Sequence, residues 1–253
     1  MNNGLVNGIA TIVGACLLML AGMAHSGEIK VMASVALKET FLELVQHFEK
    51  SSEHKVVPVW SASTDITKRV KAGETADIII VGTAAIDELI NVGKLHPGSR
   101  VDLMKSGIGV AVRASAPKPN ISSQQALKQT LLSAKSIGYS TGISGVYMNS
   151  LFERMGIASE LKPKLKQAPP ASMVGEMVAR GEVEIGFHQV SELIHVAGID
   201  YLGPLPPEIQ EITTFSSGIH VSAKDLSAAK ALVDFLNSPS AAPVIKRNGM
   251  EPA

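Results

Sequence analysis

Short apolar runs alternate with segments whose apolar residues recur at helical spacing, and the alternation fills most of the chain. Glu28–Ser34 (EIKVMAS) predicts a buried strand, and Ala36–Lys50 (ALKETFLELVQHFEK) an amphipathic helix. A strand at Lys55–Trp60 and a short helix in SASTDITKRVKAG, closed by Gly73, repeat the unit. A strand at Ala76–Gly82 and a helix in AAIDELINVGKL repeat it again. Such alternation implies right-handed crossovers and a mostly parallel sheet flanked by helices.

Two longer strands interrupt the pattern, Gly107–Ala114 and Thr213–Ala223. Between them the alternation restarts: strand SIGYS, a helix from Gly145, a strand within LKQAPP, a helix from Met173, and strand EIGFHQV. Ser227–Asn248 reads as one closing helix that ends at Gly249. The order predicts an α/β fold of two domains joined by two crossing strands. Residues 27–108 and 213–253 form the first domain, and residues 109–212 are inserted as the second. The cleft between them is lined by strand C-termini and helix N-termini, where doubly wound sheets bind ligands.

The first 26 residues differ. Ile9–Met23 (IATIVGACLLMLAGM) carries no charge, and Ala24 and Ser26 place small residues before a cut at Gly27. This is the shape of a cleaved secretory signal, with a periplasmic mature chain; an N-terminal membrane anchor is the rival reading. The only cysteine, Cys16, lies inside this segment, so the mature chain has no thiol chemistry. Lys+Arg and Asp+Glu balance at 23 each and aromatics are 4%, which argues against nucleic acid as a partner. An anion site here must be local.

Four strand-to-helix turns carry Ser or Thr near a helix start: Ala33–Lys38, Ser61–Asp65, Ser140–Tyr147 (STGISGVY) and Ala171–Gly175. Singly, each is an ordinary cap. Together, their free N–H groups and hydroxyls form a cleft for an anion. His188 is the titratable candidate, as a general base or as a satisfied buried histidine. Tyr147 is a carboxylate donor or packs on Met148 and Phe152. Lys38 is an anchor or a solvated lysine, and Asp65 a helix N-terminal charge. HEXXH, CXXC, phosphate-loop and GXSXG patterns are absent, and no histidine spacing suits zinc.

The stretches KVMASVALKETFLELVQHFEK, WSASTDI, AGETADIIIVGTAAIDELINVGKL and GVYMNSLFERMGI resemble, in order, the periplasmic solute-binding proteins of the molybdate-binding type. The resemblance implies a type II binding-protein fold with an oxyanion held at Ser34, Ser63, Gly145, Val146, Tyr147, Met173 and Val174. Thr64 and Ser144 flank these positions, and with Gln189, which follows His188, they join the expected ligand set. Two departures point to a larger ligand carrying carboxylates. Lys38 follows Ser34 by one helical turn, and GFHQVSEL offers His188 and no tyrosine.

Within that family, ASVALKE, TDITKR, STGISGVY and GFHQVSEL resemble the bacterial periplasmic aconitate isomerases. That implies interconversion of trans- and cis-aconitate by allylic proton transfer, with His188 and Tyr147 as catalytic candidates and no metal or cofactor. The alternative is a binding protein that hands a small carboxylate or oxyanion such as molybdate to a membrane permease. A monomer is expected in either case.

Overall fold

The first lobe begins β1 (Glu28–Ser34), α1 (Lys38–Ser51), β2 (Lys55–Ser61), α2 (Ser63–Lys71), β3 (Ile78–Gly82), α3 (Thr83–Asn91) and β4 (Val101–Arg113). The second holds α4 (Gln124–Ser133), β5 (Ile137–Tyr139), α5 (Ile143–Arg154), α6 (Ala158–Leu161), β6 (Leu165–Gln167), α7 (Val174–Ala179), β7 (Ile185–Gln189), α8 (Val190–Leu193) and β8 (Ile199–Pro204). The chain then returns through β9 (Ile212–Ile219), α9 (Leu226–Leu236), α10 (Ala242–Arg247) and β10 (Glu251–Pro252). This computed structural model describes residues 27–169 and 172–253. The expected leader and Ala171 of the fourth turn lie outside the described residues.

The strands form one sheet in the order β2-β1-β3-β9-β4-β7-β5-β6, with β8 and β10 also paired to β4. Parallel strands occupy the outer part of each lobe, and antiparallel pairs join them at the centre. Each lobe has its own apolar core. Phe41, Leu44, Ile80, Phe215 and Leu232 fill the first, and Leu127, Ile137, Phe152 and Phe187 the second. Burying one such side chain stabilises its lobe by roughly 1.5–3 kcal/mol.

Three expectations need correcting. Among the described residues β4 is the one strand that crosses between the lobes: Val101–Gly107 pair with β9, and Ile108–Val112 pair with β7. β9 stays in the first lobe, and the return crossing is the irregular segment 205–211. That segment is tied to β4 by Gln210, which accepts from Ile108 N at 2.9 Å and donates to Ile108 O at 3.0 Å. The closing helix is broken between α9 and α10, because Ser238 precedes Pro239 and is held extended. The sequence pattern also passed over α4 and β8. α4 has a weak apolar face, and β8 is a half-exposed strand without clean alternation.

Candidate functional site

Each parallel strand delivers its C-terminal end to the space between the lobes, where the chain turns into a helix. At Ser34, Ala62 and Gly142 these turns start a helix with no side-chain cap bond. Among the described residues the side-chain caps belong to Ser123 at α4 and Asp225 at α9. Ordinary capping therefore does not explain the hydroxyls of Ser34 and Ser63, while Ser140 Oγ accepts from Gly142 N at 3.2 Å and lies 2.9 Å from Ser144 Oγ. The first-turn N–H groups of these helices stay available to an anion, which the helix dipole also favours.

The turns enclose a cavity of about 30 Å³, lined by Ser34 and Ser63 from the first lobe and Ser140, Ser144, His188 and Glu192 from the second. Its lining has no lysine or arginine. A space of that size has room for water and none for a larger anion, so the lobes stand close together here. Two hydrogen bonds cross between them here: Ser191 Oγ to Ala36 O at 2.8 Å, and Thr64 Oγ1 to Thr141 O at 3.3 Å. A larger groove of about 630 Å³ adjoins the cavity and shares Ser63 and Ile143 with it. Its one cation, Arg100, is already paired with Asp87 and Asp102.

His188 and Glu192 form the polar centre. They are 3% and 4% exposed, and His188 Nε2 lies 3.2 Å from Glu192 Oε1 without the angle of a hydrogen bond. His188 Nδ1, Glu192 Oε1 and Ser63 Oγ are all buried without a hydrogen-bond partner. Three such atoms around one cavity are rare in a finished protein interior and mark a place built for a ligand. Burial pushes the His188 imidazole well down and the Glu192 carboxyl up to about 8, so both favour their neutral forms.

Of the sequence candidates, Ser34, Ser63, Ser144, His188 and Gln189 line the cavity. Gln189 has a second duty, since its amide contacts Thr213 Oγ1 at 3.0 Å. With its oxygen turned to that hydroxyl, its nitrogen reaches Ser106 O and Gly107 O, both at 3.1 Å, which satisfies both ends. Thr64 lines the adjoining groove. Ser140 and Ala62 belong to two of the turns named from the sequence, and Glu192 is the polar lining residue that the sequence candidates lack. For Glu192 the signal was present, because HQVSE places it four residues after His188.

Other candidates sit elsewhere. Tyr147 donates its hydroxyl to Ile209 O at 2.8 Å, and Arg154 stacks over its ring at 5.0 Å, so it braces the return crossing. Lys38 is exposed at the start of α1, outside the cavity. Val146 is 60% exposed. Val174 packs in an apolar cluster with Met177 and Val183, and Met173 precedes it at the start of α7, outside the cavity lining. Gly145 is a packing position: a Cβ there would lie 1.7 Å from Ser140 O.

Comparison with known proteins agrees with this architecture. A family model for bacterial extracellular solute-binding proteins matches residues 29–251. A Pseudomonas sp protein named aconitate isomerase is 38% identical over 228 residues, covering 88% of this chain and 87% of its own. The molybdate-binding protein ModA of Escherichia coli (strain K12) is 23% identical, covering 90% of each chain. The solved periplasmic molybdate-binding protein of Azotobacter vinelandii superposes with a TM-score of 0.75 at 20% identity, covering 88% of this chain and 98% of its own.

Proposed function

We propose that this chain, which belongs to the bacterial extracellular solute-binding proteins, is a periplasmic isomerase that interconverts trans- and cis-aconitate. The observation that carries the reading is the buried His188–Glu192 pair, with its unpartnered atoms, in the cleft. An oxyanion held for transport calls for donors alone; a titratable pair at the centre fits proton transfer. The 38% identity to a protein named aconitate isomerase supports the substrate assignment.

In this reading the lobes part, admit trans-aconitate and close over it. The uncapped helix starts after Ser34, Ala62 and Gly142, with the hydroxyls of Ser63 and Ser144, hold its carboxylates. His188 takes a proton from the methylene carbon, and the C–H electron pair spreads through the allylic system into the carboxylates. Return of a proton to the other terminal carbon moves the double bond and gives the cis isomer, with no electron gained or lost. Burial weakens His188 as a base, but a carboxylate within about 4–6 Å favours the imidazolium, so the substrate itself strengthens it.

A second reading, a carrier that delivers an oxyanion to a membrane permease, draws on the likeness to ModA. Incubation of the purified protein with trans-aconitate, followed by chromatography, separates the two. Formation of cis-aconitate supports the isomerase. No conversion, together with thermal stabilisation by molybdate, would replace it with the carrier.

A further inference from the structure

The proton transfer described above leaves Glu192 without a task, yet it is the acidic side chain in the cavity lining. An ionised carboxylate there would repel a tricarboxylate in a space with no lysine or arginine to offset it. The elements packed against α8 supply no hidden cation. On β4, Asp102 is paired with Arg100, Arg113 is exposed, and Lys105 lies outside the cavity lining. On α7, Glu176 is exposed and paired with Arg180. β7 contributes His188, and the turn Val35–Leu37 is uncharged and leads to the exposed Lys38.

We propose that Glu192 works as a carboxylic acid, donating a hydrogen bond to a substrate carboxylate and stabilising the charge that spreads there as His188 removes the allylic proton. The proposal rests on the isomerase reading. Four observations carry it: the burial of Glu192, its unpartnered Oε1, its place beside His188, and the absence of a cation in the lining. Burial that favours the neutral carboxyl agrees with it. A donor aimed at developing negative charge in a dry site needs no reorganisation during the reaction. A buried acid kept protonated at neutral pH is a known way to supply one.

The test compares wild type, Glu192→Gln and Glu192→Ala in isomerisation rate across pH, with infrared difference spectra of the free proteins. Glutamine retains a donor of the same shape, so E192Q is expected to keep kcat within about tenfold at neutral pH, whereas E192A loses about 100-fold or more. Wild-type kcat/KM should fall as pH rises through about 8, and that of E192Q should lack the fall. The spectrum of wild type minus E192Q at pH 6.5 should contain a protonated-carboxyl C=O stretch. The same alkaline fall in both proteins, or no such band, overturns the proposal while the isomerase reading stands. A carboxyl band with no isomerisation by wild type removes that reading, and the donor role with it.

Discussion

Replacing Glu192 by glutamine should make the protein more stable, and increasingly so as pH rises. The folded carboxyl titrates near 8 and the unfolded one near its ordinary 4.5, so between these values the unfolded chain gives up a proton that the folded chain keeps. Stability therefore falls as pH rises through this window, and glutamine, which does not titrate, escapes the loss. From 4.5 to 7 is two and a half pH units at about 1.4 kcal/mol each, which sets a ceiling of roughly 3 kcal/mol at pH 7. It is a ceiling because any parting of the lobes rehydrates the carboxyl before the chain unfolds. For a chain of this size 1 kcal/mol corresponds to about 2–4 °C, so the Tm gap can reach about 6–12 °C. His188 has the opposite sign: burial lowers its pKa, so stability is lost as pH falls below 6.5. Because it lies 3.2 Å from Glu192 the two titrate together, so the gap is read between pH 6.5 and 8, where His188 is neutral in both the folded and the unfolded chain. Thermal unfolding of the pair by circular dichroism across that range measures the gap. A gap that stays flat would show that Glu192 is already ionised in the folded protein and refute the reasoning.

Gly145→Ala should abolish binding and lower Tm sharply, because its Cβ would overlap Ser140 O and force α5 away from the cleft. Gly142→Ala is the control, since its Cβ would meet Ser140 Oγ at 3.6 Å and Ala62 at 3.9 Å, ordinary contacts. Gln210→Ala removes both bonds to Ile108 at the crossing, a loss of about 1–3 kcal/mol and about 2–12 °C in a thermal melt. A shift under about 2 °C would deny the bracket its structural role.

The regular parts of the fold were legible because they follow period. Ile78–Gly82 is buried at every position, and α1 buries Phe41, Leu44, Val45 and Phe48 at helical spacing. The departures have local causes. Pro239 breaks a helix whose apolar pattern continues past it, and Gln210 ties an irregular segment that no periodicity describes. In the site, Ser34, Ser63 and His188 could be placed because they sit at or just past the C-terminal ends of strands, which face the cleft. Tyr147 and Lys38 could not, because helix position alone does not say which face meets the ligand. Tyr147 turns to Ile209 and Lys38 to solvent. Glu192 follows His188 by four residues, a spacing that places it near the imidazole, and its burial beside His188 is what the structure adds.

In the proposed reaction His188 moves a proton of trans-aconitate inside a binding-protein cleft. Proton NMR of trans-aconitate in D₂O, with wild type and His188→Gln side by side, tests it most directly. The expected result is cis-aconitate carrying deuterium at its methylene with wild type, and unchanged, undeuterated trans-aconitate with the variant, which still gains thermal stability from the ligand. Equal conversion by both proteins would contradict the role of His188, and no conversion or exchange by either would contradict the isomerase itself.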